Sequence, residues 1–395
     1  MVRIIAYILT ILLFVGPPVL FKLNFPVEGV LTPYYYPGFY FIVLAIAYVY
    51  WKQNTQFMKT PDKHIWLLLI LVVFSCLIFG IRRMLLINSI ALPALYGLFF
   101  ANMNLADMKS VRKIVLFTFV VNCVFAICER LLMHNVFPMS LLYKYMAFSQ
   151  TDPMLFRSSA LLGHPLSNAL IMSIIMGFIM VSSIGNLQKF GLLLLGFFAL
   201  LCFNARGAII ITGLFTFAYF LEKLSDSNES FKSKSRVILL AVICVIMIYV
   251  LVSNGFGGRF FENDLKDDTS ILARIKVWNI LKQMTLESLL FGMDNIRAFT
   301  INILGHFHIE NWLIVYIMNF GIIGTAIYVI SFIPIFRYFM KPYTKSQSLF
   351  IFGIFMCVAS TNNSLSSGVP AISMFFVCAR AFLPVTIDAR ILLKS

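Results

Sequence analysis

Three arginines stand where an anion could be held. Arg157 lies in Phe156-Arg157-Ser158-Ser159, shortly before Gly163-His164-Pro165 and Asn168. Arg206 belongs to Asn204-Ala205-Arg206-Gly207, a turn between two apolar runs, and Arg274 shares the apolar face of an amphipathic stretch. A guanidinium keeps its charge, and its planar fork bonds two oxygens at once, so arginines brought to one point suit a phosphate or pyrophosphate. A second cluster, His306-Phe307-His308-Ile309-Glu310-Asn311, precedes a long apolar run. An imidazole or carboxylate there can take the proton from an attacking hydroxyl when its pKa is tuned towards the working pH.

Each group also has a plainer reading. An arginine at a helix end often reaches for lipid headgroups, and that is the reading adopted for Arg82-Arg83. The His/Glu cluster can serve as the polar cap of a helix. A lone His-x-His spacing does not specify a metal, and Glu262, Asp264, Asp267 and Asp268 read as the solvated start of a loop. The sequence has no phosphate-binding glycine loop, Gly-x-Ser-x-Gly elbow or cysteine pair with metal-ligand spacing. No metal or cofactor is expected, and an ATP-driven pump loses ground. Gly321-Ile-Ile-Gly324 reads as a close-packing stretch.

The elements that position these groups follow from composition. Of 395 residues, 61% are hydrophobic and 12% charged, about half the charged share of an ordinary soluble domain; mean hydropathy is +0.91. This excludes a soluble globular enzyme and a disordered chain and predicts an all-α polytopic membrane protein. The net charge of +15 does not imply nucleic acid, because the 31 basic residues flank apolar runs, where membrane lipids are the partners. The seven cysteines, at 76, 123, 128, 202, 244, 357 and 378, all lie in apolar runs and are expected to be buried small hydrophobes.

About 20 apolar residues cross a bilayer as helix. Twelve runs qualify or come close: 4–21, 34–51, 65–80, 84–106, 114–128, 166–187, 190–205, 207–221, 237–253, 311–336, 346–362 and 369–387. The first follows Met1-Val2-Arg3 like a signal peptide but lacks a small-x-small cleavage site, so it is expected to stay as an anchor. Every second loop is basic, which predicts both termini on the cytoplasmic side. Loops 22–33, 81–83, 129–165, 204–206, 254–310 and 363–368 then face outward. In the long loop 254–310, Asp268-Thr269-Ser270 offer a helix cap, and Ile271, Ile275, Trp278, Leu281 and Met284 recur at helical spacing. Arg380 alone falls inside a run, near enough to its inner end to reach the headgroups.

In their order and spacing these motifs resemble the O-antigen ligase/polymerase family of bacterial surface-polysaccharide enzymes. Arg157…Gly163-His164-Pro165…Asn168 is similar to the family's Arg…Gly…His-Pro-Asn segment, and Asn204-Ala205-Arg206-Gly207 to its Ser-Arg-Gly-type turn. Ser270…Arg274…Trp278 resembles its Ser-x-Arg…Trp loop helix, and Asn311…Gly321-x-x-Gly324 its His-Asn…Gly-x-x-Gly run. The likeness covers about residues 150–335. Leu166-Ser167 separate Pro165 from Asn168, and Glu310 stands where ligases place a histidine, with His308 two residues back. That carboxylate favours the polymerase branch.

The resemblance implies a GT-C-like membrane glycosyltransferase, metal-independent and inverting, in the bacterial inner (plasma) membrane with its active site facing the periplasm or exterior. Residues 1–150 would hold the N-terminal helices and first outward loop, 151–336 the catalytic core with periplasmic loop 254–310, and 337–395 the C-terminal helices. An undecaprenyl-pyrophosphate-linked oligosaccharide would be donor and acceptor, and a chain-length regulator and a flippase would be partners. Arg206 and Arg274, with Arg157, His164 and Asn311, would bind the pyrophosphate, and Glu310 or His308 would activate the acceptor hydroxyl. The expected activity is O-antigen polymerisation in lipopolysaccharide biosynthesis. An O-antigen ligase acting on lipid A-core and a transporter or flippase of lipid-linked oligosaccharide are the alternatives.

Overall fold

The computed structural model describes residues 1–15, 19, 37–53, 60–78, 83–137, 156–225, 277–305, 309, 311–361, 364–366 and 369–383, with single positions between 234 and 253. Among them every regular element is a helix. The first are α1 Val2–Leu12, α2 Pro37–Gln53, α3 Thr60–Ile78 and α4 Arg83–Leu86. A π-helical turn, Ile87–Ala91, then leads into α5 Leu92–Ala101, and α6 Leu105–Leu132 follows. The middle of the chain forms α7 Pro165–Val181, α8 Asn186–Cys202 and α9 Arg206–Ser225. The short α10 Leu286–Phe291 and α11 Ile296–Leu304 precede α12 Trp312–Met340, α13 Lys345–Ser360 and α14 Ala371–Ala381.

By length and composition, Ala106–Leu132, Arg206–Ser225 and Trp312–Met340 can each cross a membrane; the other apolar helices described are shorter. Phe117, Leu131, Leu214, Phe217, Ile330 and Leu349 are all exposed. Apolar side chains turned outwards on this scale mark membrane association. The run 237–253 is described only at single positions.

Helix α6 differs most from its sequence reading. Charge confines the apolar run to 114–128, yet the helix starts after Asn104, whose Oδ1 accepts from the Asp107 N–H at 2.8 Å, and continues to Leu132. It ends where Met133 turns left-handed at φ 51°. Glu129 and Arg130 therefore sit on its last turn and not in a loop.

The core is organised around α7. All but one of its residues are buried, as expected of an apolar helix surrounded by others. It packs against α8, α9, α13 and α14. Its Ser173 accepts from Thr212 of α9 at 3.0 Å, and Phe178 meets Phe375 of α14 with ring centroids 5.2 Å apart. Further rings extend this cluster, with Phe336 of α12 5.1 Å from Phe375 and Phe339 4.5 Å from Phe376.

Helix ends carrying basic residues meet one another. Arg3 pairs with Asp107 at 2.6 Å, Ser346 donates to Glu222, and Tyr343 Oη donates to the Ala379 carbonyl at 2.9 Å. Arg380 does not reach for headgroups. It is 6% exposed and donates to the carbonyls of Phe100, Ala101 and Met103 at 3.1–3.3 Å. It caps the end of α5, where carbonyls lack helical partners. Burial pushes the Tyr343 phenol well above its ordinary value.

Two more expectations need correcting. Cys123, Cys202 and Cys378 are buried, but Cys128 and Cys357 are exposed; an apolar run does not say which face of its helix turns inward. Cys244 lies outside the described residues. Trp278 is half exposed, whereas Val277, Ile280 and Met284 are buried against Ile314, Ile317 and Met318 of α12. Packing on α12 selects the side carrying 277 and 280 on the helical residues 277–283, and Met284 just beyond them. The cap at 268–270 lies outside the described residues.

Candidate active site

The last turn of α6, the segment 156–164 and the turn between α8 and α9 converge at one end of the bundle. Ser158 ties them together: its N–H donates to the Cys202 carbonyl at 3.0 Å and its hydroxyl to the Ala126 carbonyl at 2.7 Å. One residue earlier, Arg157 Nε donates to the Phe203 carbonyl at 3.3 Å. Asn204 then takes a left-handed conformation, φ 52°, which asparagine tolerates better than most residues. That reversal ends α8 and starts α9 at Arg206. The guanidinium of Arg157 is thereby set on the turn that carries Arg206, and both arginines are half-buried. The start of α9 also lies close to the end of α13, since a Cβ on Gly207 would come 3.0–3.2 Å from Thr361 side-chain atoms.

The segment is held from below by α6. Glu129 has no exposed surface. Its Oε1 accepts from the Val136 N–H at 2.7 Å, and its Oε2 from the Ser159 and Ala160 N–H groups at 2.8 Å each. Two turns earlier, Asn122 Oδ1 accepts from the Leu161 N–H at 3.2 Å. A buried carboxylate is costly unless its lone pairs are satisfied, and here backbone amides satisfy them. Ala160 takes φ 41° and Gly163 φ 70°, bending the chain into α7.

His164 is the residue before α7, extended and half-buried, and Pro165 opens the helix, where its missing N–H has no cost. Although Leu166 and Ser167 intervene, Asn168 still reaches back: its Nδ2 donates to the carbonyls of Ser159 at 2.5 Å and His164 at 3.0 Å. His164 and Arg157 thus belong to one braced segment.

Arg157 is thus set on the turn that leads to Arg206, and the backbone at His164 is tied to the same segment. Asn311 stands at the start of α12, where its Oδ1 accepts from the N–H groups of Leu313 at 3.0 Å and Ile314 at 3.3 Å and caps the helix. Arg274, His308 and Glu310 lie outside the described residues, as does the acidic run 262–268. Among the described residues no three His, Cys, Asp or Glu side chains group as metal ligands do.

Two residues of this region are absent from the sequence reading, Glu129 and its neighbour Arg130. Arg130 is 7% exposed, its Nη1 donates to Met133 Sδ at 3.2 Å, and with Glu129 it lies within electrostatic reach of Cys202. A third guanidinium therefore stands near the Arg157–Arg206 turn. The one sequence signal was an adjacent Glu-Arg closing an apolar run.

Gly321 is the other departure. It takes φ 68° and ψ 177° inside α12 and breaks the helix. A Cβ there would lie 2.0 Å from the Leu290 carbonyl oxygen, and Met293 N–H donates to the Met318 carbonyl at 2.8 Å. The break lets α10 approach α12 backbone to backbone, closer than side-chain packing of two intact helices permits.

Compared with known proteins, the chain matches no family model and no curated protein.

Proposed function

We propose that the chain is a surface-polysaccharide polymerase of the O-antigen type. It passes an undecaprenyl-pyrophosphate-linked glycan onto the non-reducing end of another lipid-linked repeat unit, at the outer face of the plasma membrane. The observation that carries the reading is the bond from Arg157 to the carbonyl of Phe203. It joins two of the motifs that carry the family resemblance, across 46 residues of chain. Arg157 and Arg206, with Arg274 from the outward loop, hold the donor pyrophosphate and stabilise the charge that grows on it as the glycosyl bond breaks. Glu310 or His308 takes the proton from the acceptor hydroxyl, which attacks the anomeric carbon opposite the leaving group. Twelve spans with both termini in the cytoplasm put this end of the bundle outside.

The test is deletion of the gene, with the surface glycan and the lipid-linked intermediates examined in the same extract. Loss of a polymerase leaves single repeat units on the final acceptor and no ladder. Long chains retained on the carrier, with a bare acceptor, identify a ligase instead.

One observation favours a second reading, a flippase of lipid-linked oligosaccharide. Transporters build their sites at interrupted helices, and α12 is interrupted at Gly321. Single units trapped on the cytoplasmic face of the deletion strain identify that activity.

A further inference from the structure

We propose that Glu129 is a positioning residue, a carboxylate clasp that fixes the 156–164 segment so that Arg157 stays on the Arg206 turn. The inference rests on the reading of that turn as the pyrophosphate site, and it adds a residue which none of the motifs includes.

The geometry singles out the carboxylate. Glu129 sits on the last turn of α6, the end where the helix dipole disfavours an anion. It is also fully buried, which penalises the charge again. Neither cost is offset within α6. The offset comes from amides outside the helix, Val136 on one side of residues 138–155 and Ser159 and Ala160 on the other. Hydrogen bonds to an ionised acceptor are roughly twice as strong as neutral ones, so the carboxylate draws both strands of this connection onto the α6 end. Ser159 and Ala160 follow Arg157 by two and three residues. Once their amides are fixed, and Ser158 is bonded to Cys202 and Ala126, the backbone at 157 has little freedom. The Arg157 side chain then meets the Phe203 carbonyl without an ordering cost at the moment of binding.

Shape and charge can be separated by two substitutions. Glu129→Gln keeps the bulk but turns one acceptor oxygen into an NH2 that faces an amide donor. Glu129→Asp is shorter but keeps two acceptor oxygens. A residue that only fills space is better replaced by glutamine, and a clasp by aspartate.

The experiment uses the full-length protein in lipid nanodiscs. Amide hydrogen exchange is followed on peptides covering 156–164 and, as a folding control, 170–180; polymer made in cells by the same variants is measured beside Arg157→Ala. In Glu129→Gln the amides of 159 and 160 are expected to exchange faster by at least about tenfold, the loss of one charge-assisted bond. Exchange in 170–180 stays at the wild-type rate, and polymer falls as far as in Arg157→Ala. Glu129→Asp is expected to recover more of both than Glu129→Gln does. If Glu129→Gln loses protection throughout α7, Glu129→Asp alone is compared with wild type by the same criteria. Wild-type exchange across 156–164 in the substituted protein overturns the proposal, as does a glutamine variant that outperforms aspartate. Normal polymer from Arg157→Ala would instead retire the reading of this turn as the pyrophosphate site, and the exchange result would still decide the role of Glu129.

Discussion

Arg157 Nε lies 3.3 Å from the carbonyl oxygen of Phe203, so the arginine of one motif rests on the turn that presents the arginine of another. The contact ties the chain just before α7 to the junction of α8 and α9. Arg157→Ala is expected to lower polymer output by about 10²-fold, the usual cost of removing one donor from a developing anion, with the protein present at its normal level. Arg157→Lys recovers little, because an ammonium lacks the planar fork. Quantified glycan ladders beside an immunoblot check both; full output from the lysine variant would show that the fork is not used.

Gly321 and Gly305 both have positive φ, 68° and 78°, but differ in surroundings. A Cβ at 321 would lie 2.0 Å from Leu290 O and 2.2 Å from Leu290 C, whereas nothing lies within 4 Å at 305. Gly305→Ala should cost only the left-handed backbone term, about 1 kcal/mol. Gly321→Ala must also push α10 off α12 and should cost about 3 kcal/mol. Thermal melting in nanodiscs compares the two, and equal melting temperatures would contradict the close approach.

Arg380 holds three carbonyls at the end of α5. Arg380→Met leaves those acceptors buried without the donor and should destabilise by about 3 kcal/mol. Arg380→Lys, a single point of charge, restores part of that. A methionine variant that melts with the wild type would mean water takes over the carbonyls.

Asn311 caps α12 through two backbone amides. Asn311→Ala should cost about 1 kcal/mol, and Asn311→Asp should restore it because the carboxylate accepts the same bonds. If the aspartate variant is stable yet makes no polymer, the amide also touches substrate, as the family resemblance implies.

Much of this arrangement was legible in the sequence. Apolar runs between basic residues marked the helices, and the run 166–187 marked α7, Pro165–Val181. The arginine motifs named Arg157 and Arg206, but the contact of Arg157 with the Phe203 carbonyl is set by the fold. Glu129 was not legible, because a charge closing an apolar run looks like the start of a loop. The amides that accommodate it, at 159 and 160, lie 30 and 31 residues away. Gly321 likewise gave only a packing motif, since its left-handed backbone is set by α10, a helix that no local pattern places against α12. Trp278 failed for a related reason: periodicity proposes an apolar stripe, but the neighbour decides which residues of it are covered.

Arg206 carries the central claim, since it sits in the turn on which Arg157 closes. The most direct measurement is complementation of the deletion strain with Arg206→Ala, reading the surface glycan ladder, the lipid-linked intermediates and the protein level together. The account predicts no ladder, single repeat units on the final acceptor, and wild-type amounts of protein. A near-normal ladder from Arg206→Ala would contradict it.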